Sequence, residues 1–530
     1  MIVDSTNVNF GNLQSFDVIV VGAGAVGIIA ALDLCRNNVK VLVLEAGPQW
    51  VDPNSEKIFD LAKSTGRHHL GIYDGRFRAL GGTTIFWGGQ LVRFDSLVFE
   101  HRPWVGEHSA WPFRFNDIER YYDRCENILK IPESIRKDEC VFAHVGIPDE
   151  RNDRNLQYFF TRWLTEKNFS VRFRNALLRN ENITVITNAP VVALRADELG
   201  SKLHGVQVKI NKDHAINLNC RIIILANGTI EIARLLLQRL ADGRKPVWVE
   251  NAWLGCGFMD HLEGLIGRLK PRNMKRFRSL FDNRFIRGMK LQPHLRIGRQ
   301  AQIEQELLSF ALHLSLESAS KEHFDNAKIF FRGLLSGRFT GTLKTFPSQL
   351  WSAAVLGGPM IWHAFVNNRI VSPTDGIIKL RIMLEQQQLK DSRITLSDDT
   401  DQFEMRVPRL EWKVGGNKEI RTVQIAAGMA KRYFESNDIA DVLVPEAVRT
   451  GRPEMLDEFT DTYHQMGTTR MALTASQGVV DKDCRVFGTS NLYICGAAVF
   501  PSAGWANPTL TAMALALRLS ELVTAEYRKA

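Results

Sequence analysis

Asp17-Val18-Ile19-Val20-Val21-Gly22-Ala23-Gly24-Ala25-Val26-Gly27 is the stretch that decides the fold. Val18 to Val21 form an unbroken apolar run, as a parallel strand buried on both faces requires. The glycine-spaced turn follows, and then Ile28, Ile29, Ala30, Ala31, Leu32 and Leu34 with helical spacing. A second apolar strand is expected over 39–44, ending at Glu45-Ala46-Gly47. Strand, turn, helix and strand make a βαβ unit of the length a dinucleotide fold needs. Gly22 makes the tight turn and Gly24 lets the backbone approach a pyrophosphate. Gly27 lets helix and strand pack closely, and the helix N-terminus supplies partial positive charge. Glu45 can accept hydrogen bonds from an adenosine ribose. An acid there suits a ribose with both hydroxyls free, hence FAD or NAD and not NADP.

The same theme returns twice. Arg221-Ile222-Ile223-Ile224-Leu225-Ala226-Asn227-Gly228-Thr229 is strand, then glycine, then a helix expected over 230–240. Asn491-Leu492-Tyr493-Ile494-Cys495-Gly496 is again strand then glycine, followed by a helix over 510–522. The nucleotide-binding sheet is therefore left and resumed. Between the first two visits lies Gly81-Gly82-Thr83-Thr84-Ile85-Phe86-Trp87-Gly88-Gly89, whose four glycines in nine residues would pass close to a flat or charged ligand. A helix is expected over 115–128, and strands over 183–187, 191–194 and 205–208. From 262 the pattern becomes strands (309–316, 377–384, 393–396, 409–412) mixed with a helix over 419–435, which suggests an antiparallel sheet with helices.

At 530 residues the chain exceeds one ordinary domain, and 45% apolar with 24% charged residues is the composition of a globular protein. The formal charge of +9 permits an anionic substrate, a phospholipid surface or nucleic acid and selects none of them. Its densest part, 268–299, has eleven Lys/Arg against one acid, Asp282, and is expected to be a solvated face. That run lacks the aromatic interleaving of a single-strand platform, so no nucleic-acid partner is expected. Seven scattered cysteines, with no CxxC or Cys/His cluster, argue against a disulfide framework and a structural metal and fit a reducing compartment. The first sixteen residues show no export signal, so a cytoplasmic location is expected. The apolar stretch 350–366 is broken by Gly357-Gly358-Pro359 and is short for a span; a buried or channel-lining segment is expected over a membrane-surface contact.

Two local features have more than one reading. Asn507-Pro508 is a standard helix start, with Asn at the cap and Pro at the first turn. His261 beside Asp260 can be a catalytic pair, although a hydrogen bond that locks the loop is the more economical reading.

Assembled, these pieces resemble the glucose-methanol-choline (GMC) flavoprotein oxidoreductases from about Phe16 to the C-terminus. The resemblance rests on the opening fingerprint, the 81–89 loop, the 224–237 segment and Gly257-Phe258-Met259-Asp260-His261. Its most specific part is the block His464-Gln465-Met466-Gly467-Thr468, Gly478-Val479-Val480-Asp481, Arg485-Val486, Phe500-Pro501 and Asn507-Pro508-Thr509. Thr83-Thr84, Trp87-Gly88-Gly89 and Ser392-Arg393-Ile394-Thr395-Leu396 are most similar to the branch with pyranose oxidase and the bacterial sugar dehydrogenases.

The resemblance implies an α/β fold: a Rossmann-like FAD-binding domain with an inserted α+β substrate domain on an antiparallel sheet. It divides the chain into FAD-binding parts at 1–95, 181–261 and 456–530, a lid and connecting insertion at 96–180, and a substrate domain at 262–455. It implies oxidation of a CH–OH group of a sugar or other alcohol by hydride transfer to flavin N5. His464 would be the general base and Asn507 would hold the substrate oxygen. Gly22, Gly24, Gly27, Glu45, Gly82, Thr83, Thr84, Gly88, Val191, Gly496, Ala497, Pro508 and Thr509 are expected at the FAD. Ala497 departs from the Asp that flavoproteins often carry there, and Phe86 stands where covalently flavinylated members have histidine, so the FAD is expected to be non-covalent. Oxygen, a quinone or a redox protein would take the electrons. The alternatives are a GMC-fold lyase, a flavin-binding protein without redox turnover, and an NAD-dependent dehydrogenase.

Overall fold

The computed structural model describes residues 1–13, 15–146, 153–211, 214–317 and 376–529; the apolar stretch 350–366 lies outside them. The strand Phe16–Val21 and the helix Ala25–Cys35 flank the glycine turn, and Val18, Ile19 and Val20 are wholly buried. Gly22 takes a positive φ of 99° to make the turn. At Gly27 a Cβ would sit 2.0 Å from the Gly22 carbonyl oxygen, so only glycine lets the helix lie this close to the strand. The second strand is Val41–Leu44, two residues shorter at its start than the apolar run suggests.

Segments far apart in the chain build one parallel sheet in the order Ile2–Asp4, Ile183–Thr187, Val41–Leu44, Phe16–Val21, His214–Leu225 and Leu492–Ile494. The early part of His214–Leu225 continues it as an antiparallel meander with Leu203–Asn211 and Val191–Ala196. The C-terminal helix Thr509–Lys529 packs on the helix Ala25–Cys35, where the Ser520 hydroxyl lies 3.4 Å from the Ala30 carbonyl. The two chain ends are thus joined over the glycine turn.

The second sheet is antiparallel and runs, among the described residues, Ala440–Leu443, Leu262–Pro271, Ile377–Leu384, Phe310–Glu317, Met289–Ile297, Leu156–Trp163 and Gln90–Leu91. Ile378, Leu380, Ile382 and Leu384 alternate toward the core, where the helix Asn417–Ser436 lays down Val423, Ala426, Ala430 and Phe434. The other face of the strand, with Lys379, Arg381 and Met383, is half-buried. Leu156–Trp163 comes from the connecting segment before 180, so this sheet recruits a strand outside the region where the sequence pattern changes. A small third sheet joins Arg393–Thr400 and Arg406–Trp412 to Lys63–Gly66 from the polar insertion. The basic run 268–299 is spread over three strands, Leu262–Pro271, Arg284–Ile286 and Met289–Ile297, and the helix Met274–Phe281. Arg272, Arg276, Arg278, Arg296 and Arg299 each pair with a carboxylate. Among the described residues no helix is long and apolar enough to cross a membrane.

A fully buried ion pair ties the two lobes together. Arg102 donates through both terminal nitrogens to Glu385 at 2.7 Å each. The same carboxylate accepts the N–H groups of Ser309 (3.0 Å) and Gly504 (2.9 Å). Four segments meet at one Glu, and one of them is the loop that carries Asn507.

Candidate active site

A cavity of about 620 Å³ lies between the C-terminal edge of the parallel sheet and the antiparallel sheet, within the roughly 300–1,000 Å³ usual for cofactor sites. Gly22, Gly24 and Glu45 line one end, and Val191 lies beside them. Gly82, Thr83, Thr84 and Gly88 form a wall, and Gly496, Ala497, Pro508 and Thr509 form another. His464 and Asn507 complete it. Of the residues the sequence points to, Gly27 alone stays out of the cavity; its place is the helix–strand contact.

Glu45 is buried, and its carboxylate accepts the N–H of Ala23 (2.9 Å) and of Gly47 (3.0 Å), one per oxygen. Each oxygen keeps a lone pair for another donor. Burial pushes this carboxyl up to about 7, against the pull of the two N–H groups. A ligand hydroxyl that donates to Glu45 favours the ionised form. Ligand affinity should therefore hold above pH 7 and weaken by at most about tenfold per unit below it. Fluorescence titration of the apoprotein with FAD from pH 5 to 8 measures this, and Glu45→Gln should flatten the dependence.

Sequence reasoning did not find every wall of the cavity. Arg76, Phe77 and Arg78 of the polar insertion line it, as do Asp401, Phe403 and Met405 from the turn between Arg393–Thr400 and Arg406–Trp412. Arg76 pairs with Glu231 at 2.9 Å, and Arg234 bridges Glu231 (3.3 Å) to Asp401 (2.6 Å). The signal for these residues was weak: two arginines in an insertion without periodicity, and a surface-like turn. Gly75-Arg76-Phe77-Arg78, only three residues before the glycine loop, was the available clue.

His464 sits on a segment zipped to both neighbours. Met466 exchanges backbone hydrogen bonds with Met259, and the N–H groups of Gly467, Thr469 and Met471 bond the carbonyls of Ala497, Ala498 and Val499. The Asp260 carboxylate accepts the His464 N–H at 3.0 Å and the Thr462 N–H at 3.2 Å. The loop-locking reading of Asp260 therefore describes what its carboxylate does. His261 turns instead to His464, Nδ1 to Nδ1 at 3.0 Å. Burial, helped by His464, pushes the His261 imidazole down to about 3.

Asn507 does not cap the last helix. That helix spans Thr509–Lys529, and the Ala512 N–H bonds the Pro508 carbonyl, which moves the cap one residue on. The carboxamide is left for His464: Asn507 Nδ2 lies 2.9 Å from His464 Nε2. An imidazole and an amide from separate loops thus aim at one point on the cavity wall.

Two further observations test whether the cavity suits a dinucleotide. Nothing stands within 4 Å of a Cβ built on Gly24, so the start of the helix Ala25–Cys35 opens on free space. Asn227 Oδ1 lines the cavity, buried and without a hydrogen-bond partner, and so awaits a donor. Together with the Glu45 acceptor, these residues fit FAD.

Comparison with known proteins points the same way. Residues 389–516 match the family model described as GMC oxidoreductase. The fructose dehydrogenase large subunit of Gluconobacter japonicus is 22% identical over 97% of this chain and 99% of its own. The long-chain-alcohol oxidase FAO3 of Arabidopsis thaliana is 21% identical over 95% of this chain and 67% of its own. Pyridoxine 4-oxidase from Mesorbium loti shares the fold, with a TM-score of 0.60 at 12% identity over 97% of this chain and 100% of its own.

These similarities support membership of the GMC oxidoreductase superfamily and, at the level of the family, FAD and flavin-dependent CH–OH chemistry. The similarities spread over several branches, so the pyranose oxidase and sugar dehydrogenase branch is not singled out.

Proposed function

We propose that this GMC oxidoreductase oxidises a CH–OH group of a sugar or other alcohol to a carbonyl, with His464 as general base and Asn507 as the anchor of the substrate oxygen. The observation that carries this reading is the 2.9 Å approach of Asn507 Nδ2 to His464 Nε2 on the wall of the cavity. An amide nitrogen only donates, so the imidazole nitrogen facing it presents a lone pair. A substrate hydroxyl that meets both gives its proton to Nε2 while its oxygen takes the Asn507 N–H, which turns to it from Nε2. Bound FAD would supply the acceptor for the hydride that leaves the same carbon. Gly22, Gly24, Glu45 and Asn227 would hold its nucleotide half, and the 82–88 and 496–509 walls its ring half.

FAD is proposed to be non-covalent. Phe86 offers a phenyl ring, stacked on Phe77 at 5.8 Å and edge-on to Tyr463 at 6.2 Å, with no nucleophile to attach. Acid precipitation should leave all the flavin in the supernatant; flavin in the pellet contradicts this.

Carbohydrate is favoured as the donor because Trp163, an aromatic face of the kind that stacks on sugar rings, lines the cavity. Lys290 lies 3.7 Å over the Trp163 ring, and the neighbouring Gln292 is half-buried. The electrons would pass to oxygen, a quinone or a redox protein. Seven unpaired cysteines support a reducing, cytoplasmic setting. The experiment is anaerobic stopped-flow bleaching of the flavin by D-glucose, D-fructose and octan-1-ol. Bleaching by at least one supports the reading, sugars are expected to be fastest, and no bleaching by any of them counts against it.

A further inference from the structure

Behind His464 runs a line of hydrogen bonds pointing away from the substrate side. His464 Nδ1 lies 2.7 Å from Thr462 Oγ1, and Thr462 Oγ1 lies 3.1 Å from Asp260 Oδ1. Asp260 Oδ2 meets His69 Nε2 at 3.1 Å. Asp260 and His69 are wholly buried. Burial alone would raise the Asp260 carboxyl, but the His69 hydrogen bond and the surrounding imidazoles outweigh it and hold the group below the usual range. It is a carboxylate, able only to accept.

That fixes the direction of every bond in the line. The Thr462 hydroxyl proton points to Asp260, so its oxygen offers only lone pairs to His464. Nδ1 must then carry the imidazole proton, and Nε2 must be bare. The opposite end demands the same tautomer independently, because Asn507 Nδ2 can only donate to Nε2. The Nδ1 of His261 at 3.0 Å is a second acceptor for the same N–H.

We propose that Thr462 and Asp260 are positioning residues that hold His464 in its Nδ1–H form and keep Nε2 open toward the substrate, with His69 bracing Asp260. The inference rests on the reading of His464 as the base. In the reaction the substrate O–H proton passes to Nε2 and the carbon–oxygen bond becomes double; bound FAD would take up the hydride from the same carbon. The Nδ1 proton stays on His464 and donates to Thr462. No proton crosses to Asp260, which balances the imidazolium as a carboxylate. The acids acting on His464 are Asp260, Glu263 and Asp461. Glu263 is already tied to His313 (3.0 Å) and Arg381 (2.7 Å), and Asp461 to the N–H groups of Leu70 (2.8 Å) and Gly71 (2.9 Å). Asp260 is the acid linked to the ring through a side-chain hydroxyl.

The test uses the full-length FAD-loaded protein labelled with ¹⁵N-histidine, with the His464 signals identified by their loss in His464→Ala. Wild type and Thr462→Ser should show Nδ1 protonated and Nε2 bare, whereas Thr462→Val, left with the Asn507 contact alone, should show a minor Nε2–H population beside the Nδ1–H form. Thr462→Val should also reduce about tenfold more slowly at saturating donor, the scale of one lost hydrogen bond to a charged group. Its half-saturation should be unchanged, its acid limb should lie at lower pH, and Thr462→Ser should restore the rate to within about twofold. A proton on Nε2 in wild type, or a Thr462→Val spectrum and acid limb like wild type, overturns the positioning role even where His464→Ala is slow. A His464→Ala protein reduced as fast as wild type removes the base, and the catalytic consequence of its positioning with it.

Discussion

Replacing His464 by alanine is expected to leave FAD bound and to slow its reduction by substrate at least ~100-fold, the scale of a lost acid–base group. The imidazole shares no hydrogen bond with Gly24 or Glu45, and its segment is fixed by Asp260 at the His464 N–H and by Met259 at Met466, independently of the ring. Binding and chemistry should therefore separate. The pH dependence follows from the same surroundings. Burial pushes the His464 imidazole below its ordinary value of 6.5, while Asp260, Glu263 and Asp461 pull it part of the way back. The neutral ring is the active form. Reduction should be full above the lowered value and fall as pH drops through it, with the midpoint below 6.5. Stopped-flow reduction across pH measures both effects; a wild-type rate in the variant sinks the assignment of the base.

Glu385→Ala should cost about 3–5 kcal/mol, because it strands the Arg102 guanidinium in a dry interior. The Ser309 and Gly504 N–H groups lose their acceptor at the same time. Gly504 precedes Asn507 by three residues, so protein that survives should also reduce its flavin more slowly. The joint replacement Arg102→Met with Glu385→Leu removes both charges and should cost far less than either single loss. Urea unfolding followed by tryptophan fluorescence gives the comparison; a single variant as stable as wild type refutes the account.

Much of the nucleotide half was legible because its physics is local. A buried parallel strand is an apolar run, a tight turn at positive φ is glycine, and an acid at the next strand end is two elements away. The strands 183–187 and 377–384 and the helix 115–128 emerge with the expected bounds. What the sequence hid is long-range. Leu156–Trp163 joins the substrate sheet by pairing with Met289–Ile297, and Lys63–Gly66 pairs with Arg409–Trp412. Neither partnership leaves a mark on either segment alone. Asn507 is the instructive case, since cap and substrate anchor predict the same residue type. The one-residue shift of the helix start takes the carboxamide off the cap and leaves it to His464.

The packing of the helix Thr509–Lys529 on Ala25–Cys35 has a consequence for biosynthesis. The glycine turn is translated long before its roof and partner helix. A nascent chain thus carries half a cradle until the helix Thr509–Lys529 emerges, and coenzyme capture should wait for that helix. A truncated product that stops before Thr509 should leave the ribosome colourless, however well its first strands have formed.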